Sequence, residues 1–194
     1  MNKNTRELVQ TAIFVALILL LGLTPIGMIP LGFINLSLLG IPVVIGTLLL
    51  GLRRGLLLGL CFGAVSAMKA FGLFGAPSTL VATLMAQSPV LAMIMTFLPR
   101  LLVPVTTQLC YRAASGRMKL RRAVAIAAAA GSLTNTFFYL GLMLLFYCIM
   151  GIDSARVLAL IGGTGLIAGS AEAVVNALIS VPVLGALWKT DSRK

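Results

Sequence analysis

Long stretches of this chain carry almost no charge, and this constrains the fold more than any other feature. Between Pro89 and Tyr111, for example, the one charged residue is Arg100. The stretches are continuously apolar, unlike the alternating strands of membrane barrels, and most approach the roughly 20 residues of a bilayer-crossing helix. We therefore predict an all-α integral membrane protein, a bundle of six transmembrane helices in a single domain of residues 1–194. The predicted spans are residues 8–23, 35–51, 55–69, 89–111, 123–149 and 157–188.

Composition excludes several classes of protein. The chain is 60% hydrophobic and 10% charged, with a mean hydropathy of +1.10, whereas about a quarter of a soluble domain is charged. It contains no histidine and four acidic residues, which argues against histidine-based hydrolysis and against metal held by clustered aspartates. The three cysteines fall in separate apolar runs without metal-ligand spacing. We expect no enzyme activity, no cofactor and no metal site.

The distribution of positive charge predicts the orientation. With the N-terminus in the cytoplasm, 12 of the 15 lysines and arginines fall in cytoplasmic segments, and Lys69, Arg100 and Arg156 are the exceptions. Positive residues concentrate on the cytoplasmic side of membrane proteins. We expect both termini in the cytoplasm, the bilayer as the partner of the positive segments, and no nucleic-acid partner.

Arg100 must find a partner, because arginine keeps its charge and an isolated charge at bilayer depth costs several kcal/mol. Two readings are open. Arg100 forms a structural ion pair with Glu172, the acid at similar depth in the sixth run, and Asn135 joins helices by a hydrogen bond. Alternatively, these three groups line a polar pocket in which Arg100 offers its planar fork to a carboxylate.

Helical spacing places further polar residues beside these three. Tyr139 follows Asn135 by four residues in the fifth run, and Asn176 follows Glu172 by four in the sixth, so each pair shares a helix face. Asn35, at the start of the second run, is either a helix cap or a pocket residue. Small residues also recur every four residues, which favours close helix packing: Gly55, Gly59, Gly63 and Ala67 in the third run, and more weakly Ala12 and Ala16 in the first.

The segments predicted to face outward are long and rich in glycine and phenylalanine. The second, residues 70–88, contains Phe71 and Phe74. Segments of this kind either cover a pocket as a lid or simply connect helices at the membrane surface.

The sequence resembles the substrate-binding S-components of energy-coupling factor (ECF) transporters, the vitamin uptake systems of prokaryotes. The resemblance covers nearly the whole chain and is closest to the pantothenate-type branch. It rests on the six-helix plan and on four segments: TAIFVA at residues 11–16, IPLGFIN at 29–35, FLPRLLV at 97–103 and GSLTNT at 131–136.

The resemblance implies a function and partners. S-components bind a vitamin at a site open to the outside of the prokaryotic cell membrane. They dock on a transmembrane coupling subunit, the T-component, which works with two ABC-type ATPases. It further implies that Ala12 and Ala16 contact the coupling subunit and that the segment with Phe71 and Phe74 gates the site.

Pantothenate is the substrate that the residues favour. It has one carboxylate, an amide and two hydroxyls, which suit Arg100 together with Asn35, Asn135, Tyr139, Glu172 and Asn176. Riboflavin, folate or another precursor is the alternative within the family. A membrane subunit without a ligand, or a membrane enzyme, is the alternative of another class.

Overall fold

The computed structural model describes residues 3–24, 27–30, 35–73 and 79–191, and most of these are helical. The helices are α1 (Lys3–Leu23), α2 (Gly40–Leu50), α3 (Leu52–Ala70), α4 (Thr79–Gln87), α5 (Pro89–Ser115), α6 (Leu120–Ile149), α7 (Ala155–Leu160) and α8 (Leu166–Asp191). A π-helical turn, Ile161–Gly165, links α7 to α8. Two short strands, β1 (Met28–Pro30) and β2 (Asn35–Ser37), pair antiparallel between α1 and α2.

Four of the described helices are long and apolar enough to cross a membrane. These candidate spans are Asn4–Leu23, Pro89–Ser115, Leu120–Ile149 and Leu166–Lys189. Helix α2 is apolar but has 11 residues, and α3 carries Arg53 and Arg54 in its first turn. The chain is thus a helical multi-pass membrane protein, and the number of six spans stays a prediction.

The second apolar run differs from the prediction at its beginning. Residues 35–37 form β2, with Asn35 opposite Pro30, and helix α2 begins at Gly40. Pro42 therefore lies in the first turn of α2, where a backbone N–H has no acceptor within the helix and a proline costs little. The strand has only the three residues NLS, which is too short for an alternating pattern to distinguish it from the start of a helix.

The segment predicted as a long outer connection contains a packed helix. In α4, Leu84 is fully buried and Val81 nearly so. The Tyr147 hydroxyl on α6 donates a 2.6 Å hydrogen bond to the Leu80 carbonyl. These contacts fix α4 against the bundle, so the region between α3 and α5 is only partly a loop.

The last apolar run is not one continuous α-helix. Residues 155–160 are α-helical, the sequence IGGTG at 161–165 forms the π-helical turn, and α8 begins at Leu166. Three glycines in five residues weaken regular helix, since glycine costs about 1 kcal/mol relative to alanine at a helical position. An interruption at this point is therefore inexpensive.

The glycines of α3 bring that helix close to α5. A Cβ added at Gly59 would lie 2.7 Å from the carbonyl oxygen of Arg100, and one added at Gly63 would lie 2.7 Å from the Phe97 ring. The small-residue stripe of α3 therefore serves packing inside the protein. Helices α6 and α8 approach in the same way, with Gly169 of α8 against Thr136.

Replacing Gly59 by alanine should destabilise the bundle by about 1–3 kcal/mol, because the new methyl group meets the backbone of α5 and not a flexible side chain. Thermal unfolding of the purified protein in detergent measures the effect. Gly141→Ala in α6 is the matched control, since a Cβ there has no neighbour within 4 Å. Equal melting temperatures for the two variants would contradict this packing.

Candidate functional site

Arg100 lies in the middle of α5, between Pro99 and Leu101. Its Nη1 donates a hydrogen bond of 3.2 Å to the carbonyl oxygen of Met95, five residues earlier in the same helix. The side chain therefore points toward the N-terminal end of α5, as long side chains on helices do. If the predicted orientation holds, this is the outward direction.

Aromatic side chains from two other helices flank the guanidinium. Its Cζ lies 4.6 Å from the centre of the Tyr139 ring on α6 and 5.4 Å from the centre of the Phe62 ring on α3. Both distances are within the range in which an aromatic face attracts a cation, an effect of about 2 kcal/mol where water is excluded. Two aromatic rings thus contact Arg100 in place of an acidic residue.

Glu172 on α8 is near Arg100 but does not form an ion pair with it. Among the described residues, no carboxylate oxygen lies within 4.0 Å of the Arg100 guanidinium, although the two charges are close enough to attract each other. The Glu172 carboxylate also lies near the backbone N–H of Ser37, at the end of β2. The structural ion pair considered from sequence is therefore not formed in this structure.

Asn176 lies one turn beyond Glu172 and links three elements. It is 1% exposed, and its Nδ2 donates a hydrogen bond of 3.2 Å to the Ser132 hydroxyl on α6. Gly40, the first residue of α2, lies against the same amide. The Asn176 Oδ1 has no hydrogen-bond partner among the described residues.

Two more buried polar atoms around the site lack a partner in the described part of the chain. They are the Oδ1 of Asn135 and the Nε of Arg100. Asn135 is one turn from Tyr139 on α6 and three residues from Ser132, so it faces the same side of the helix. A buried donor or acceptor without a hydrogen bond costs about 1–3 kcal/mol. Such atoms are the ones that a polar ligand or an ordered water would satisfy.

The structure thus brings together most of the site residues predicted from sequence. Arg100 touches Tyr139, Glu172 is within electrostatic reach, Asn176 lies one turn further on α8, and Asn135 is adjacent to Tyr139 on α6. For Asn35, the structure describes the backbone in β2, two residues from Ser37, and not the side chain.

The residues predicted for docking and gating lie away from this cluster. Ala12 and Ala16 are both exposed on α1, one turn apart, while Phe14 and Ile18 on the other side of that helix are buried. Phe71 follows the last residue of α3 and is 54% exposed. Phe74 lies outside the described residues.

Three contributors to the site were missed from sequence: the Phe62 ring, the Met95 carbonyl and the Ser37 N–H. The Met95 contact could have been predicted from Pro99, because a proline inside a helix leaves the carbonyl four residues earlier without its usual donor. Phe62 lies between Gly59 and Gly63 on the face of α3 that packs on α5. Only the contacts of these two glycines in the structure show that this face of α3 meets α5. The position of Ser37 depends on the hairpin.

The fold and the site together define a class of protein. It is a helical multi-pass membrane protein that encloses a buried cation, a nearby carboxylate and side-chain amides between α3, α5, α6 and α8. Such a group of side chains can hold a small polar anion, and it offers no activated nucleophile.

Comparison with known proteins gives the family. The family described as "ECF transporter, substrate-specific component" matches residues 6–184, and this chain belongs to it. The chain is also 32% identical over 119 residues to the pantothenic acid transporter PanT of Lactococcus lactis subsp. cremoris (strain MG1363). That similarity covers 57% of this chain and 57% of the relative, so the chain spans little more than half the length of that protein. The family is one of transporter components and not of enzymes.

Replacing Arg100 by methionine should leave the unfolding free energy of the ligand-free protein within about 1 kcal/mol of the unmodified protein, or raise it. Removing one member of a true buried ion pair would instead cost about 3–5 kcal/mol, because the other charge is left alone. Thermal unfolding in detergent distinguishes these outcomes. Leu98→Met, at an exposed position of the same helix, is the matched control. A large loss of stability confined to Arg100→Met would show that Glu172 depends on Arg100.

Proposed function

We propose that this S-component binds pantothenate, with the Arg100 guanidinium against the vitamin's carboxylate. The observation that carries the proposal is how the Arg100 guanidinium and the Glu172 carboxylate are each surrounded. Arg100 is held by aromatic faces and one backbone carbonyl, with no acidic oxygen within 4.0 Å in the described part of the chain, while Glu172 interacts with the Ser37 N–H. A cation kept in this way inside a bundle is suited to an anionic ligand.

The remaining polar groups match the rest of the vitamin. Pantothenate has an amide and two hydroxyls besides its carboxylate, and both act as donors and acceptors. The free Oδ1 atoms of Asn135 and Asn176 can accept hydrogen bonds, and the Tyr139 hydroxyl and the Glu172 carboxylate lie near the same cation. We assign these four residues, together with Asn35 of the neighbouring hairpin, to the amide and hydroxyls.

The similarity to a pantothenic acid transporter supports this choice of substrate. Riboflavin is larger and uncharged, so it would leave Arg100 without a counter-charge, and its flat ring favours aromatic platforms. The chain's one tryptophan, Trp188, packs on Tyr111 near the C-terminal ends of α8 and α5, several turns from Arg100. Folate carries two carboxylates, whereas this site has one cation, Arg100, among its described residues.

Arg100→Gln should weaken pantothenate binding roughly 10- to 150-fold, which corresponds to the loss of a hydrogen bond to a charged group. Binding of pantothenol, in which a hydroxymethyl group replaces the carboxylate, should not weaken. Isothermal titration of the purified protein with each compound measures both effects.

The substrate assignment fails if unmodified protein binds riboflavin tightly and pantothenate not at all. It also fails if Arg100→Gln binds pantothenate as well as the unmodified protein does. Arg100→Lys tests the positive charge separately from the planar guanidinium, since lysine keeps the charge but cannot present two parallel N–H groups to a carboxylate.

We further propose that the chain works with a T-component and two ABC-type ATPases in a prokaryotic plasma membrane. Six spans with both termini in the cytoplasm agree with the positive residues in the predicted inner segments. Ala12 and Ala16 leave a shallow exposed strip on α1 that a helix of the coupling subunit can approach closely. The segment around Phe71, between α3 and α4, is the proposed gate.

Tryptophan at Ala12 and Ala16 together should abolish vitamin uptake by cells while leaving vitamin binding to the purified subunit unchanged. Bulky rings on the strip would hold the coupling subunit away without reaching the site on α5, α6 and α8. Ala64→Trp is the control, because Ala64 is an exposed alanine on α3. Uptake at the normal rate in the double variant would place the docking surface elsewhere.

A further inference from the structure

Helix α5 contains two prolines close to Arg100, at positions 99 and 104. In an α-helix the N–H of each residue bonds the carbonyl four residues earlier, and proline has no N–H. Pro99 therefore leaves the Met95 carbonyl without its helical donor, and Pro104 does the same for the Arg100 carbonyl. Each free carbonyl in the apolar interior requires another partner or a compensating environment.

The two carbonyls have different surroundings. The Met95 oxygen accepts the 3.2 Å hydrogen bond from the Arg100 Nη1. The Arg100 oxygen faces α3 at Gly59, where a Cβ would come within 2.7 Å of it. Only the first of these free carbonyls contacts the guanidinium.

The Met95 contact fixes the direction of a flexible side chain. Arginine has several rotatable bonds, and ordering it costs up to about 2 kcal/mol. Here one N–H is bonded to Met95, and the guanidinium lies against the Tyr139 and Phe62 rings. An arginine held before the ligand arrives does not need to be ordered on binding, and this raises affinity.

We propose that Pro99 is a positioning residue for the ligand carboxylate: by withholding its N–H, it keeps the Met95 carbonyl available to orient the Arg100 guanidinium. This inference rests on the proposed function, in which Arg100 meets that carboxylate. Any other residue at position 99 would supply an N–H to Met95 and compete with Arg100 for the same oxygen.

Pro99→Ala should weaken pantothenate binding about three- to tenfold, the effect of one hydrogen bond of ordinary strength. Pantothenol binding should stay the same, because that compound has no carboxylate for Arg100. The melting temperature of ligand-free protein should not fall, since the helix regains a backbone hydrogen bond and loses an unfavourable proline. A merely structural role for Pro99 would instead lower stability and weaken both compounds alike.

Pro99→Val controls for the volume of the buried proline ring and should reproduce the selective loss. Pro182→Ala, at an exposed proline inside α8, controls for removal of a helical proline in general and should change neither affinity. In the Arg100→Gln background, adding Pro99→Ala should have no further effect on pantothenate binding, because the group that Pro99 positions is already absent.

The inference is overturned by unchanged pantothenate affinity in Pro99→Ala, by an equal loss for pantothenol, or by a further loss in the Arg100→Gln background. A loss with alanine and not with valine also overturns it, by tracing the effect to ring volume. If Arg100→Gln weakens pantothenate and Pro99→Ala does not, the positioning role alone is wrong. If Arg100→Gln has no effect, the proposed function fails with it.

Discussion

The structure depends on how a permanent charge is accommodated inside an apolar bundle. Arg100 cannot become neutral, and an unpaired charge among apolar helices is costly. The protein spreads that cost over several weak partners: a backbone carbonyl on its own helix and aromatic faces on α3 and α6. These partners come from three helices, and Gly59 permits α3 to approach α5 closely enough for Phe62 to take part.

The acid near this cation, Glu172, attracts it without forming an ion pair with it. Glu172 interacts with the backbone at Ser37, so the short hairpin before α2 is tied to α8. Asn176, one turn away, bonds Ser132 and lies against the start of α2. The same arrangement couples the hairpin, α2, α6 and α8 around one small volume.

Sequence reasoning succeeded where the spacing of residues along a helix, or the length of an apolar run, is enough to determine the structure. The long helices α1, α5 and α6 follow from uninterrupted apolar runs, and the shared face of Asn135 and Tyr139 follows from helical spacing.

Sequence reasoning did not predict the features that depend on tertiary contacts. The strand at residues 35–37 is too short to show an alternating pattern, α4 packs on the bundle through the buried Leu84, and the π-helical turn depends on local backbone geometry. Phe62 and Ser37 join the site through packing that spacing does not encode. The state of Arg100 is the clearest case, because the sequence left both an ion pair and a pocket open, and the structure contains no ion pair at Arg100 within the described residues.

The most direct measurement is an experimental structure of the protein with pantothenate bound, at a resolution that places the carboxylate. The arrangement described here predicts that carboxylate on the Arg100 guanidinium, beside the Phe62 and Tyr139 rings, with Nη1 still bonded to the Met95 carbonyl and Glu172 not paired with Arg100. A vitamin carboxylate held elsewhere, with Arg100 paired to Glu172, would contradict it.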